Sequence, residues 1–210
     1  MSVPFTPMKR PLVAILRGVK PEETEAIVGV LIGAGMTAIE VPLNSPDPFR
    51  SIAMAVKQAP AGVLIGAGTV LTAADVDRLN DVGGRLMVSP NVDTGVLARA
   101  QQHGMVTMPG VFSPTEALLA ARSGASSLKF FPASVLGASG IAAIRAVLPA
   151  GVMIAAVGGV SDQNFGEYIK GGVTAFGLGS SLYKPGMSAA DVATRAKVTV
   201  AAYDRAIAKD

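Results

Sequence analysis

The sequence contains no cysteine and a single histidine among its 210 residues. Disulfides and thiol chemistry are therefore excluded, and a metal site built from histidine and cysteine has too few ligands. Tryptophan is absent, aromatic side chains make up only 5% of the chain, and lysine and arginine form no cluster. A nucleic-acid partner is not expected, because such proteins combine basic patches with aromatic side chains.

Long apolar runs are also missing. No stretch approaches the roughly 18 uninterrupted apolar residues of a membrane span, and the first ten residues lack the apolar segment of a signal peptide. We therefore expect a cytoplasmic protein with no membrane partner. The net charge of +3 mildly favours an anionic small molecule as substrate.

Short apolar runs alternate with helix-like stretches along the chain, of which half of the residues are hydrophobic. The predicted helices cover residues 21–33, 48–58, 72–79, 94–102, 113 onwards, 139–148, 161–170 and 189–208. The predicted strands are residues 12–16, 38–41, 63–65, 86–88, 105–108, 127–130, 153–157 and 174–178, and Pro109 and Gly110 are expected to stop the fifth of these.

This alternation implies a parallel sheet, and its eight units most simply close into an α/β fold of the (β/α)₈ TIM barrel type. Residues 1–210 are predicted to form this single domain, with residues 1–10 as an N-terminal extension. The alternative is an open doubly wound sheet. Against it, Gly66 and Gly68 are not followed by the third glycine of a dinucleotide-binding fingerprint.

Lys129 lies at the end of the predicted sixth strand, beside Phe130 and Phe131. Burial among apolar neighbours lowers the pKa of an amine, because it disfavours the charged form. A neutral amine can attack a ketone and form a Schiff base. The alternative is a lysine whose ammonium group reaches solvent at the mouth of the barrel.

Glu40 ends the predicted second strand, and the carboxyl ends of barrel strands form one face. A carboxyl group beside a Schiff-base lysine can move the protons that imine formation and cleavage require. The alternative is a salt bridge between Glu40 and Lys129 or Arg17.

Two glycine turns close the last two predicted strands, at Gly158 and Gly159 and at Gly179 and Ser180. Phosphate sites in (β/α)₈ barrels are typically built at this place from backbone N–H groups. Glycine lets the backbone approach an anion closely. The alternative is a pair of ordinary turns.

Arg17 follows the first predicted strand and can bind a carboxylate with two hydrogen bonds. The alternative is a structural ion pair. Thr69 follows the third strand, where it either donates to the same carboxylate or begins a turn. His103 lies toward the end of a helix, and we assign it no catalytic role.

Six stretches of the sequence together resemble the KDPG/KDPGal aldolases, and the resemblance extends over essentially the whole chain beyond residue 10. These enzymes are class I lyases that split 2-keto-3-deoxy-6-phospho sugar acids into pyruvate and glyceraldehyde 3-phosphate. The stretches are Leu16-Arg17-Gly18, residues 39–46, residues 66–71, Ser89-Pro90-Asn91, residues 128–132 and residues 156–160.

The resemblance implies a role for each candidate residue. Lys129 would be the Schiff-base residue and Glu40 the general acid and base, while Arg17 and Thr69 would bind the substrate. The phosphate would lie on Gly158, Gly159, Gly179 and Ser180. No metal or organic cofactor would be needed, and the protein would be a homotrimer.

The resemblance is greatest to the galactonate-type members of the family. Gluconate-type members carry an arginine in the loop after strand two, where this chain has Asn44 and Ser45 and places Arg17 after strand one instead. They also have a hydroxyl residue at the place of Val157, so we expect Val157 to influence stereoselectivity at C4 of the substrate.

Several other functions stay open from the sequence. A close relative of the implied reaction would be cleavage of the gluconate epimer or of 4-hydroxy-2-oxoglutarate. A sugar-phosphate isomerase or epimerase would use the same glycine turns, with Glu40 as a carbon base and no imine. A non-catalytic phosphate-binding barrel would need neither Glu40 nor Lys129.

Overall fold

The computed structural model describes residues 3–5 and 9–208, in which parallel strands alternate with helices. The strands are β1 Leu12–Ile15, β2 Ala38–Pro42, β3 Leu64–Gly68, β4 Leu86–Val88, β5 Val106–Met108, β6 Gly110–Val111, β7 Leu128–Phe130, β8 Ile154–Val157 and β9 Ala175–Leu178. The helices are α1 Pro21–Gly33, α2 Pro48–Gln58, α3 Ala73–Asp81, α4 Thr94–Gln102, α5 Pro114–Arg122, α6 Ala133–Arg145, α7 Phe165–Lys170 and α8 Ala189–Ile207.

The sheet closes into a barrel through β5 and β6, which Pro109 joins. The strand order is β5-β4-β3-β2-β1-β9-β8-β7-β6, and Pro109 alone separates β5 from β6 in the chain. On one side β5 pairs with β4. On the other side, N–H groups along β7 donate to carbonyl groups before, at and after Pro109 at 3.0–3.1 Å: Ser127 to Thr107, Lys129 to Pro109 and Phe131 to Val111.

The predicted TIM-type barrel is therefore confirmed, and β5 ends at Met108 as predicted, but Gly110 begins a further strand, β6, that the sequence did not predict. Proline removes only one N–H donor, and the carbonyl group of Pro109 still accepts from β7. Gly110 passes so close to the carbonyl group of Pro90 that a Cβ atom would collide with it. Strand pairing therefore resumes directly after Pro109, now with β7 instead of β4.

Side chains of the strands alternate between two hydrophobic cores, as the pleat of a strand requires. On β1, Leu12 and Ala14 belong to the outer core, between the barrel and its helices, whereas Val13 belongs to the inner core. The inner core fills the barrel with Phe5, Val13, Ala38, Leu86, Val88, Val106, Met108, Ala155 and Ala175.

The described part of the N-terminal extension packs against the barrel. Phe5 is only 4% exposed and lies in the inner core, with Val3 packed beside it. The hydroxyl group of Ser126 donates to the carbonyl group of Val3. Arg10 forms a two-pronged ion pair with Asp204 of α8, at 2.7 Å for each hydrogen bond. Residues 1, 2 and 6–8 of the predicted extension lie outside the described residues.

Most predicted helix starts are confirmed within a residue or two. The hydroxyl group of Thr72 accepts a hydrogen bond from the N–H of Asp75 at 3.1 Å and so caps α3. Ser113 and Glu116 form a reciprocal capping box at the start of α5. None of the helices within the described ranges is long and apolar enough to cross a bilayer.

Two helices begin at residues other than those predicted. α6 begins at Ala133, directly after β7, rather than at residue 139, because its first turn lies between Pro132 and a kink at Gly137. α7 begins at Phe165, not directly after Ser161, since the N–H of Ser161 donates to the side chain of Asn164 at 2.9 Å instead of entering a helix.

Candidate active site

A cavity of about 420 Å³ opens at the carboxyl ends of the strands, the end at which (β/α)₈ barrels carry their active sites. The structure brings together there every residue that the sequence placed in a site, namely Arg17, Glu40, Thr69, Lys129, Val157, Gly158, Gly159, Gly179 and Ser180. The remaining lining residues include Phe131, Ser161, Gly177, Ser181 and Lys184.

Lys129 lies on β7 with its side chain inside the barrel, and only 7% of the residue is exposed. Its Nζ donates to the carbonyl oxygen of Ser89 at 3.1 Å and lies 4.9 Å from the centre of the Phe131 ring. The alternative in which the ammonium group reaches solvent is therefore wrong.

Burial lowers the pKa of Lys129 to about 8, since the charged form loses its hydration. The negative charge of Glu40 opposes this shift, and the positive charge of Arg17 adds to it. Far more of this amine is consequently neutral near pH 7 than of a lysine in water, and the neutral form is the one that attacks a carbonyl group.

Glu40 on β2 is 3% exposed, and its Oε2 has no hydrogen-bond partner in the part of the chain that is described. Burial raises its pKa to about 7, while the charges of Lys129 and Arg17 pull the pKa down. The alternative of a salt bridge with either residue is wrong, because neither forms an ion pair with Glu40 among residues 3–5 and 9–208. The carboxyl group is thus able both to give and to take a proton near neutral pH.

Gly68 on β3 makes room for this carboxyl group. A Cβ atom at residue 68 would overlap the carboxyl atoms of Glu40. The glycine therefore leaves the space that the carboxyl group occupies inside the barrel. The sequence showed Gly68 as part of a turn, and its contact with Glu40 follows only from the packing of neighbouring strands β2 and β3.

Arg17 stands at the exposed rim of the cavity, where its Nη1 donates to Oδ1 of Asn44 at 2.7 Å. The next residue, Gly18, donates its N–H to the hydroxyl group of Ser45 at 2.9 Å. The alternative of a structural ion pair is wrong, since Arg17 contacts an amide and no carboxylate pairs with it among the described residues.

Thr69 lines the cavity in an unusual backbone conformation, with φ at 56°. A positive φ is rare for a β-branched residue and persists only where the surrounding structure imposes it. Neighbouring bonds do so here: Gly68 accepts from Leu43 at 2.8 Å and Val70 donates to Val88 at 3.1 Å. Thr69 thus both makes a turn and faces the cavity.

Side chains donate to the carbonyl groups of the turn after β8. Asn164 donates to the carbonyl oxygen of Gly159 at 2.9 Å, and the hydroxyl group of Ser181 donates to that of Val160 at 3.0 Å. The second bond joins the turn after β8 to the turn after β9. The N–H groups of Gly159 and Val160 donate to no acceptor in the described ranges.

The turn after β9 has the same arrangement. Arg195 of α8 donates to the carbonyl oxygens of Ser180 and Ser181 at 3.4 and 3.3 Å. The N–H groups of these two serines donate to no acceptor among the described residues, while Gly179 accepts from Leu182 and Tyr183 at 2.9 Å, as in the first turn of a helix. Free N–H groups of this kind attract an anion.

Val157 ends β8 directly before this pair of turns and is 5% exposed. It packs against Gly177 of β9, where a Cβ atom would lie 2.7 Å from Cγ2 of Val157. Both residues line the cavity. Because residue 177 has no side chain, the side chain of Val157 can occupy this part of the cavity wall. The sequence did not reveal this role of Gly177.

His103 lies away from the cavity. It caps the end of α4 and contacts Oδ1 of Asp77 at 2.6 Å, beside an ion pair between Arg99 and the same carboxylate. Within the described ranges, no three side chains of histidine, cysteine, aspartate or glutamate are grouped so as to hold a metal ion.

Known proteins resemble this chain throughout its length. Residues 6–198 match the family described as "Aldolase: KDPG and KHG aldolase". A Rhizobium meliloti (strain 1021) protein named "Probable 2-dehydro-3-deoxy-6-phosphogalactonate aldolase" is 71% identical over 96% of this chain and 95% of its own. The Escherichia coli (strain K12) "2-dehydro-3-deoxy-6-phosphogalactonate aldolase" is 45% identical over 95% of this chain and 97% of its own.

A solved structure described as "Native KDPGal structure" superposes with a TM-score of 0.94 and is 44% identical, with 96% of this chain and 98% of that chain covered. The fold, the cavity and these matches identify the chain as an aldolase, an enzyme of the carbon–carbon lyase class. More particularly, it belongs to the KDPG and KHG aldolase family, as the resemblance of its sequence motifs implied.

Proposed function

We propose that this enzyme cleaves 2-dehydro-3-deoxy-6-phospho-D-galactonate to pyruvate and D-glyceraldehyde 3-phosphate through a Schiff base on Lys129. The observation that carries the proposal is a buried lysine with a lowered pKa in the same cavity as a buried glutamate whose Oε2 has no hydrogen-bond partner among the described residues. The names of the R. meliloti and E. coli relatives agree with the substrate.

In the first half of the reaction, the neutral amine of Lys129 attacks C2 of the keto acid. Glu40 in its acid form protonates the departing hydroxyl group, which leaves as water, and a cationic imine remains. The raised pKa of Glu40 supports this role, since a carboxyl group that titrates near neutral pH is available in both forms. The amine is held inside the cavity by the hydrogen bond that it donates to the carbonyl group of Ser89.

In the second half, Glu40 removes the proton of the C4 hydroxyl group, directly or through a water molecule. The C3–C4 bond breaks, its electrons move into the imine to form an enamine, and glyceraldehyde 3-phosphate leaves. Protonation of the enamine at C3 and hydrolysis of the imine release pyruvate and restore Lys129. These reaction steps require no metal or organic cofactor.

Both ends of the substrate are anionic, and each binds to a different group of donors in the cavity. Arg17 and Thr69 bind the carboxylate, a role supported by the free donor groups of a guanidinium that pairs with an amide rather than with an acid. The N–H groups beside Gly158, Gly159, Gly179 and Ser180 bind the phosphate. Val157 meets the middle of the substrate and, having no hydrogen-bonding group, does not favour the gluconate epimer.

The assembly and location proposed for the enzyme are a homotrimer in the cytoplasm, acting in galactonate degradation. Three apolar side chains in the loops and helix at the carboxyl end of the barrel support self-association. Leu71 is 49% exposed, Phe112 41% and Val135 70%. Contact with further copies of the chain would cover them.

The decisive experiment is reduction with borohydride in the presence of pyruvate. We expect the mass of one reduced pyruvyl group on the peptide that contains Lys129, and none on Lys129→Met. An isomerase, an epimerase or a non-catalytic barrel would form no reducible imine. A label on another lysine, or no label at all, would refute the Schiff-base proposal.

A second assay identifies the substrate. Pyruvate release is measured with 2-dehydro-3-deoxy-6-phosphogalactonate, its gluconate epimer and 4-hydroxy-2-oxoglutarate. We expect the highest kcat/KM with the galactonate epimer. A higher value with either of the other two would retain the aldolase chemistry and replace the proposed substrate.

A further inference from the structure

We propose that Lys184 is a phosphate-binding residue that makes the enzyme select phosphorylated keto acids over unphosphorylated ones. This inference rests on the proposed aldolase function and adds a residue to its substrate site. Lys184 lies beyond the turn after β9 and lines the cavity together with the free N–H groups of Ser180 and Ser181.

The position of Lys184 in the cavity wall is fixed by its own backbone and its neighbours. Its N–H donates to Sδ of Met187 at 3.3 Å, and its carbonyl oxygen accepts from the N–H of Met187 at 3.1 Å. The ring of Pro185 packs on Gly18, where a Cβ atom would lie 2.7 Å from Cγ. The loop therefore cannot swing freely, although the lysine side chain is exposed.

The charge of Lys184 is not used elsewhere in the described structure. Its Nζ has no hydrogen-bond acceptor and no carboxylate partner among residues 3–5 and 9–208, whose ion pairs join Arg10 to Asp204 and Arg99 and His103 to Asp77. The other two cations of the cavity have partners: Arg17 donates to Asn44, and Lys129 donates to Ser89.

A phosphate monoester in the cavity would pair with the ammonium group of Lys184. It carries a charge of about −1.5 to −2 at pH 7, whereas the N–H and hydroxyl groups of the two glycine turns are neutral. An exposed ammonium group on a flexible stem binds phosphate as a point charge. Lys184 thus supplies the counter-charge that the turns lack, and an unphosphorylated keto acid would gain nothing from it.

The test compares Lys184→Gln with Lys184→Arg and with Lys57→Gln. Lys57 is an exposed lysine in the last turn of α2, at the opposite end of the barrel, so it controls for the loss of one surface charge. Each variant is assayed with the phosphorylated keto acid, with its unphosphorylated counterpart, and for exchange of the methyl protons of pyruvate with solvent deuterium.

We expect Lys184→Gln to raise KM for the phosphorylated substrate by about tenfold to a hundredfold, the range for one hydrogen bond to a charged group. The unphosphorylated substrate, pyruvate exchange and the melting temperature should not change. Lys184→Arg should restore most of the affinity, and Lys57→Gln should behave as wild type. An equal change with both substrates, or none, would overturn the proposal.

Binding of inorganic phosphate, measured by titration calorimetry, tests the residue without turnover. We expect weaker binding to Lys184→Gln than to wild type or Lys57→Gln, and equal binding would overturn the proposal. Failure of the aldolase function is recognised separately, because wild type itself would then neither release pyruvate nor form a borohydride-trapped adduct.

Discussion

The amino end and the carboxyl end of the barrel are filled in opposite ways. At the amino end, Phe5 and the other apolar side chains of the inner core fill the space between the strands. At the carboxyl end the same strands carry Glu40 and Lys129, both nearly buried, next to a cavity. One set of strands therefore supplies both a packed core and a reactive site.

The difference shows how stability and chemistry are divided along each strand. Apolar burial stabilises the fold by roughly 25 cal/mol for each Å² removed from water. Burial of Glu40 without a hydrogen-bond partner for Oε2 has the opposite sign, because its charged form loses hydration. Apolar burial at the closed amino end thus offsets the loss of stability that accompanies the shifted pKa values at the open carboxyl end.

The largest expected effect is the loss of the amine at the open end. Lys129→Met keeps an unbranched apolar stem of similar length but has no nucleophile, so pyruvate release should fall below detection. The variant should fold and melt at or above the temperature of wild type, because a buried amine has been removed. Measurable cleavage by purified Lys129→Met would contradict the proposed mechanism.

Glu40→Gln should slow kcat by about 10²- to 10⁴-fold, the usual contribution of a positioned acid or base. It should also raise the melting temperature. The folded pKa lies above the unfolded one, so the stability of wild type falls as pH rises from the ordinary glutamate range to about 7.

The gain in melting temperature should therefore be larger at pH 8 than at pH 5. Thermal denaturation at the two pH values checks this prediction. A variant with wild-type kcat would make Glu40 a packing residue, and a pH-independent thermal shift would remove the argument from its pKa.

Phe5→Ala tests the closed end and should have the reverse outcome. It should lower the free energy of unfolding by about 3 kcal/mol, as for other buried aromatic side chains, and leave kcat near wild type. Urea denaturation measures the change, with Ile207→Ala as the control at an exposed apolar residue of α8. A large loss of kcat in a folded Phe5→Ala protein would show that the two ends are not independent.

The pH dependence of imine formation tests the environment of Lys129 without a mutation. The neutral amine is the reactive form, so the rate of pyruvate trapping should rise with pH and level off near the lowered pKa of about 8. A lysine in water would give a rate that rises until about pH 10.4. A profile of that kind would mean that burial does not tune this amine.

The smallest effect is expected at the side of the cavity. Val157→Thr adds a hydroxyl group of nearly the same size, and one hydrogen bond contributes about 0.5–1.5 kcal/mol net. The ratio of kcat/KM for the galactonate and gluconate epimers should therefore shift toward gluconate by a few-fold to about tenfold. If the ratio does not shift, Val157 only packs against Gly177.

The sequence by itself determined the eight β/α units and the end of the barrel at which the site lies. Strand and helix periods are local properties, and parallel strands bring their carboxyl ends to one edge whatever their order. Arg17 was therefore predicted to lie in the site, and the structure confirms that it lines the cavity. Lys184 lines the same cavity but was not recognised from the sequence.

Only the tertiary structure decided how those residues interact. Pro109 separates β5 from β6, and Gly137 interrupts α6 with a non-helical backbone, yet β6 pairs with β7 directly after the proline and the helix resumes after the kink. The bond from Lys129 to Ser89 and the space that Gly68 leaves for Glu40 join different strands. Both pKa shifts depend on burial, which is set by packing across the whole barrel and has no local signal in the sequence.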